Sequence, residues 1–443
     1  MPFSRLRRSI AVASFLCIAA APLRAYGQGT GFNPALPLTR VDNGPNSTWA
    51  QSQHYLVLVS LDGFRWDYAK RDNATHLLAI AKAGVWAPQG MLPSYPSLAY
   101  PNHYTLVTGL YPEHHGIVAD TFLDPARGAG YSIYDSATTT DGSWYGGVPL
   151  WSMAESLGMR TACLLWAGCE AKIAGFRPSY YASFQSKTRA TPQAEQARID
   201  DTLALLHLPA ADRPHFIAID FSEPDQEGHQ FGPDAPETRA AALRMDALVG
   251  KLRDALGTTG LAIDLVVVSD HGMVKPEGSW IDLDSLADLS GFDTEGDLLY
   301  GKTEEDRERV YNQLKHVTSQ FMVFRRKDVP AGLNYNQNPR EGDPVIVATG
   351  PFAIRAHTPQ SGSPDHAPSL GMHGFDPRMV PEMKSIFFAV GPDLRAGRTV
   401  APFANVNLYP WMAHLLGLTP PKNDGSLNIL SGTLRDDGVA PER

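Results

Sequence analysis

Three stretches of this chain share one pattern, a run of consecutive apolar residues that stops abruptly at an acid. They are His54-Tyr-Leu-Val-Leu-Val-Ser-Leu-Asp62-Gly, His215-Phe-Ile-Ala-Ile-Asp-Phe-Ser-Glu-Pro-Asp225 and Leu261-Ala-Ile-Asp-Leu-Val-Val-Val-Ser-Asp270-His271-Gly. A strand buried on both faces reads as continuously apolar, so the three predict parallel strands inside a sheet. Between them the period changes to that of a helix: Met245, Leu248, Leu252 and Leu256 recur behind Pro236, which suits a first helical turn. Residues 385–391 resume the parallel-strand pattern and 408–416 predict a closing helix. This alternation predicts an α/β fold with a mostly parallel sheet flanked by helices, built from residues 53–285 and 361–425.

Residues 286–360 differ in character and predict a small α+β insert. Thr303-Glu-Glu-Asp306 is a capping signal, Val310, Leu314, Val317 and Phe321 mark one helical face, and Phe321-Met-Val-Phe324 reads as a short strand. Residues 28–52, rich in Gly, Pro, Asn and Ser, read as a linker or irregular arm, and 426–443 as a tail. The first 27 residues read as a signal peptide: Arg5, Arg7 and Arg8 precede an apolar run from Ile10 to Leu23, then small residues at Ala25 and Gly27. That run is short for a membrane span, so the expectation is export to a periplasmic or extracellular location without a stable membrane anchor.

Composition narrows the chemistry. With 43% hydrophobic content over 443 residues, the chain has enough apolar material for one large domain with an insert. Cleavage would take four Arg and no acid, moving the formal charge from -9 to -13 and arguing against a nucleic-acid-coating protein. An acidic protein that handles phosphates needs local positive charge, and bound metal ions supply it. Cys163 and Cys169 remain after cleavage; a disulfide between them requires the chain to turn at Ala167-Gly168, and zinc ligation is the other reading of such a pair.

Ligands on parallel sheets bind beyond the carboxyl ends of the strands, which is where Asp62, Asp225 and Asp270 fall. Two Gly-containing loops add His229, four residues after Asp225, and His373 in Gly371-Met-His373-Gly374, while His271 directly follows Asp270. Carboxylate and imidazole are the usual zinc ligands where thiolates are absent, and six suffice for two partly open metals. In Ser97-Leu-Ala99-Tyr100-Pro101-Asn102-His103-Tyr104, Pro101 predicts a helix whose N-terminal N–H groups favour a phosphate.

The ordered set of Asp62-Gly, Pro101-Asn102-His103-Tyr104, His115-Gly116-Ile117, Glu223-Pro-Asp225 to His229, Asp270-His271-Gly and Gly371-Met-His373-Gly resembles the nucleotide pyrophosphatase/phosphodiesterases of the alkaline phosphatase superfamily, near their small secreted bacterial members. The resemblance spans about residues 54 to 420. It implies two Zn2+, one held by Asp225, His229 and His373 and the other by Asp62, Asp270 and His271. It further implies hydrolysis of nucleotide pyrophosphates or phosphodiesters to nucleoside monophosphates, with the base stacked on aromatics, for which Tyr100, Tyr181 and Phe184 are the candidates.

Two positions depart from the family. Its nucleophile is a threonine that becomes covalently attached to the phosphoryl group, and this position is Ala99, which has no oxygen to attack phosphorus. An asparagine that hydrogen-bonds the phosphoryl oxygen is replaced by Asp120, whose ionised carboxylate cannot donate. Three readings stay open: a phosphodiesterase with a disabled nucleophile; an active hydrolase of phosphodiesters, phospholipids or phosphonates using hydroxide generated at zinc or a hydroxyl such as Ser97 or Tyr100; and a zinc-dependent nucleotide binder without turnover. His114 and His115 read as a cationic helix end, and His366 beside Asp365 as a surface pair. The oligomeric state is not legible.

Overall fold

The computed structural model describes residues 35–184, 191–359 and 367–435. The signal-peptide reading of residues 1–27, the start of the arm, the last eight residues and the Asp365–His366 pair lie outside the described residues.

The three predicted strands form at Tyr55–Leu61, Phe216–Phe221 and Ile263–Val268 and lie side by side. Tyr55–Leu61 is central, pairing in parallel with both others, so Leu58 stands opposite Ala218 on one side and Val266 on the other. Among the described residues the sheet has nine strands, in the order Thr39–Arg40, Tyr180–Ala182, Thr161–Leu164, Phe216–Phe221, Tyr55–Leu61, Ile263–Val268, Phe387–Val390, Val85–Trp86 and Arg398–Thr399. Leu56, Leu58, Phe216, Ala218, Val266 and Val268 share one core with residues of the helices Ala99–Thr108 and Leu408–Leu415. Val57, Val59, Ile217, Ile219 and Val267 alternate with them and are also fully buried, which is why the strands read as unbroken apolar runs.

Three local expectations change. Phe387–Val390 runs antiparallel to Ile263–Val268, because the chain re-enters the sheet at the same end where Ile263–Val268 leaves it, with Phe387 opposite Val268. Part of the arm is structural: Thr39–Arg40 pairs antiparallel with Tyr180 and Tyr181 at the sheet edge. The helix of the insert is Glu304–Leu314, capped by the Thr303 hydroxyl, and stops before Val317, which is exposed, while Phe321 belongs to the strand Phe321–Phe324. Leu283, Leu299, Val310, Leu314, Phe321 and Ile346 give this region its own small core.

Cys163 and Cys169 are joined in a disulfide. The turn this requires is present: Gly168 takes a left-handed φ of 85° and the Cys169 N–H donates to the Trp166 carbonyl at 3.3 Å.

Candidate active site

The ends of the three central strands are tied to one another, one pair through backbone alone and the other from a backbone N–H to a carboxylate. The Asp225 N–H donates to the Asp62 carbonyl at 3.1 Å, and the Gly63 N–H donates to Asp270 Oδ1 at 3.1 Å. Gly63 has a φ of 68°, and a Cβ there would lie 2.9 Å from the Asp225 Cα, so only glycine admits this approach. Asp270 Oδ1 also accepts from the His271 N–H at 2.9 Å, which leaves Oδ2 turned towards His271 Nε2 at 3.2 Å.

The three candidate imidazoles are oriented alike. Nδ1 of His229 donates to the Gly371 carbonyl at 2.8 Å, that of His271 to the Gly272 carbonyl at 2.8 Å, and that of His373 to the Ser97 carbonyl at 3.1 Å. A carbonyl only accepts, so each Nδ1 carries the proton and each Nε2 presents a lone pair, the state in which imidazole binds a metal. These lone pairs converge. His229 Nε2 lies 3.2 Å from His373 Nε2 and 3.4 Å from Asp225 Oδ1, and His271 Nε2 lies 3.7 Å from Asp62 Oδ1. Two imidazole lone pairs at 3.2 Å repel unless a cation lies between or beside them. Burial and the neighbouring His271 and His229 hold His373 well below its usual pKa, which keeps it neutral.

Asp62, Asp270 and His271 place ligand atoms within 4.8 Å of one another, and so do Asp225, His271 and His373. The donor set of buried carboxylates and neutral imidazoles therefore fits divalent metal ions. The ligand atoms of Asp225, His229 and His373, the group expected from sequence, lie 3.2, 3.4 and 3.7 Å from one another, and His271, its ring stacked on His373 at 3.7 Å, borders both groups.

Ala99 opens the helix Ala99–Thr108 beside this cluster. Asn102, fully buried, anchors the approach: its Oδ1 accepts from the Ser94 N–H and from Asn405 Nδ2, and its Nδ2 donates to the Leu98 and Pro96 carbonyls. His103 Nδ1 donates to the Ala99 carbonyl at 2.8 Å, and its ring lies 3.2 Å from Asp220 and 3.4 Å from Asp270. Burial opposes charge on His103, but Asp270 and Asp220 outweigh it and raise its pKa. Asp120 Oδ1 accepts from the Tyr100 N–H at 3.2 Å, so a carboxylate occupies the first turn of this helix. Burial, aided by Asp270 and Asp225, pushes Asp120 up to about 6.

The sequence pattern of the type I phosphodiesterase/nucleotide pyrophosphatase family matches residues 56–376. This chain belongs to that family. Its relatives include a Schizosaccharomyces pombe pyrophosphatase/phosphodiesterase, 32% identical over 84% of this chain and 79% of that protein. Human ectonucleotide pyrophosphatase/phosphodiesterase family member 7 is 32% identical over 88% of this chain and 86% of its own length. Among solved structures, murine ectonucleotide pyrophosphatase/phosphodiesterase 5, as an inactive threonine-to-alanine variant in complex with AMP, superposes with a TM-score of 0.78 at 29% identity, covering 86% of this chain and all of that one. The phosphodiesterase family and the α/β fold of the alkaline phosphatase superfamily follow, and with them the class of phosphoric diester hydrolases.

Within this phosphodiesterase-family chain, six of the expected site residues converge, and the aromatic ones do so only partly. Tyr100 has no exposed surface: its ring meets Phe184 edge-on at 5.0 Å and its hydroxyl bonds Tyr145 and the Gly168 N–H, so no face is open for stacking. Phe184 is buried and Tyr181 half-buried at the sheet edge. Asp225 and His229 sit on a short helix, Asp225–Phe231, where a spacing of four puts them one turn apart instead of on a loop. Ser97 is buried and occupied, donating to the Phe375 carbonyl at 2.6 Å and accepting from the Gly374 N–H at 3.2 Å. His115 is no helix-end cation, because burial pushes it down to about 3. Asn102 and His103, which hold the Ala99 turn, were legible only as motif members; their spacing of three and four from Ala99 is the signal that marks them.

Proposed function

We propose that this protein is a two-zinc phosphodiesterase framework for nucleotide-like phosphodiesters whose turnover is impaired at position 99. The observation carrying this reading is the convergence of three Nε2 lone pairs on the carboxylates of Asp62, Asp225 and Asp270. When bound, two zinc ions would supply positive charge for the attacking and departing oxygens of an in-line displacement and ease deprotonation of an attacking group. Asp225, His229 and His373 would hold one, and Asp62, Asp270 and His271 the other.

The chain's own residues then decide what happens at phosphorus. Ala99 offers no hydroxyl, Ser97 Oγ is engaged by Phe375 and Gly374, and the Tyr100 hydroxyl is buried among Tyr145 and Gly168. None of these residues is therefore placed to form a covalent phosphoryl intermediate. Asp120 puts a carboxylate where the family has a donor, and repels a phosphoryl oxygen whenever it is ionised. The Cys163–Cys169 disulfide supports export to an oxidising compartment.

The test is restoration. Ala99→Thr in the zinc-loaded protein is expected to raise cleavage of a chromogenic phosphodiester by at least two orders of magnitude, and an unchanged rate overturns the phosphodiesterase reading. A second reading, zinc-dependent nucleotide binding without turnover, is favoured by the murine neighbour, whose inactive threonine-to-alanine variant is in complex with AMP. Calorimetry with AMP before and after chelation tests it; equal heats count against it.

A further inference from the structure

A second feature adjoins the metal-ligand cluster. A cavity of about 220 Å³ has His373 and Gly374 in its wall, together with Leu98 and Ala119, the residues immediately before Ala99 and Asp120. Much of the rest of the wall is apolar, with Trp280, Phe352, Ile354 and Met372 half-buried around it. The Trp280 ring is backed by the Arg355 guanidinium at 5.2 Å, which is itself paired with Asp282. Among the described residues no Lys or Arg lines the cavity, and its one acid is Asp297.

Its position relative to the sheet adds to this. The metal-ligand cluster stands at the ends of Phe216–Phe221, Tyr55–Leu61 and Ile263–Val268. Tyr181 and Phe184 lie towards the Thr39–Arg40 edge, whereas Trp280, Phe352, Ile354 and Met372 come from the chain that connects Ile263–Val268 with Phe387–Val390, the two strands on the opposite side of Tyr55–Leu61. Residue 99 is the divide: Leu98 lines the cavity and Tyr100 touches Phe184. A phosphodiester has two ester arms, and with phosphorus at the cluster these arms diverge to the two sides. A pyrophosphate arm would enter a cavity that has no cation to meet it, whereas an apolar alcohol would gain from removing its surface from water.

We propose that this cavity receives one ester arm of the substrate and that this arm is an apolar alkyl or aryl alcohol, so that the chain prefers such diesters to nucleotide pyrophosphates. The proposal rests on the reading of the site given above. It is tested by binding to the full zinc-loaded chain, using AMP, ADP and the methyl, butyl, octyl and phenyl esters of AMP. Affinity is expected to rise about fourfold per buried methylene until the cavity fills, with the phenyl ester also tighter than the methyl ester. Trp280→Asp and, as an independent wall change, Phe352→Asp are each expected to lower the octyl-to-methyl affinity ratio at least tenfold. A flat ester series alongside measurable AMP binding overturns the cavity assignment and leaves the family reading standing. ADP binding more tightly than the octyl ester overturns it in favour of a charged arm. Failure of every probe to bind overturns the reading of the site and this proposal with it.

Discussion

At the scale of single residues, the two departures sit next to each other in space as well as in logic. Asp120 is bonded to the N–H of Tyr100, the residue after Ala99, so a charged acceptor caps the helix turn that would otherwise meet a phosphate. Asp120→Asn would turn an anion into a possible donor at the same place. The double variant Ala99→Thr with Asp120→Asn is therefore expected to exceed Ala99→Thr alone by about a hundredfold in kcat, the lower end of the range for one oxyanion donor. Steady-state rates on one diester decide this; a double variant no faster than the single one removes Asp120 from the phosphoryl site. Position 99 itself was legible, because a missing oxygen is visible in any alignment of motif to chemistry. The burial of Tyr100 was not: an aromatic next to a catalytic position reads as a binding wall until the fold shows Tyr131, Tyr145 and Phe184 closing over it.

His115 illustrates a charge that the fold removes. Its Nδ1 accepts from the Ile117 N–H at 3.1 Å, so Nε2 carries the proton and donates to Thr105 Oγ1 at 3.0 Å, and a second proton would break the first bond. Its pKa of about 3 in the fold lies below the ordinary histidine value of 6.5. The unfolded chain thus binds more protons between these limits, so the histidine's contribution is complete above about 6.5 and is lost as pH falls towards 3. Comparing the chain with His115→Gln in denaturant unfolding, the wild type is expected to lose up to about 1.4 kcal/mol more per pH unit across that window. Parallel pH slopes for the two proteins would show that His115 does not titrate this way.

At the scale of elements, the helix Ala99–Thr108 depends on a polar anchor and not on its own propensity. Asn102 serves Ser94, Pro96, Leu98 and Asn405 at once from a fully buried position. Asn102→Ala leaves several of these groups buried without partners, and is expected to cost about 2–4 kcal/mol of stability and to disorder the Ala99 turn. Asn102→Asp keeps the acceptor and loses the donors, so its loss should be comparable; equal stability of wild type and both variants in chemical unfolding would contradict the anchor. The central strands were legible because burial on both faces leaves no alternation to misread. The direction of Phe387–Val390 and the two-residue edge strand Thr39–Arg40 were not, since an apolar run carries no sign of direction and two residues carry no period. The short helix Asp225–Phe231 was hidden by Gly228, which reads as loop but packs its bare face on Met273.

At the scale of the molecule, the cluster joins the carboxyl ends of the three middle strands of the sheet, and the acids it brings together are costly without cations. Two carboxylates about 4 Å apart repel by about 4 kcal/mol at an effective dielectric near 20. The whole chain adds to this, with a formal charge of -9. Zinc at a thousandfold excess over its dissociation constant would stabilise the fold by about 4 kcal/mol per site. With unfolding entropy near 2 cal/mol/K per residue, that is on the order of 5 °C in Tm for a chain of this size. Chelation is therefore expected to lower Tm by at least this amount, zinc to restore it, and metal analysis of the restored protein to return two zinc ions per chain. His373→Ala should reduce the zinc count and the Tm gain together, because its Nε2 faces both His229 and Asp225. The lowering should be felt across the sheet, since the Asp225 N–H is bonded to the Asp62 carbonyl and the Gly63 N–H to the Asp270 carboxylate, so one loosened strand end releases its neighbours. A Tm indifferent to chelator and zinc would mean that protons, not metals, separate these lone pairs, and the cluster would then be a buried acid–imidazole network without a metal role.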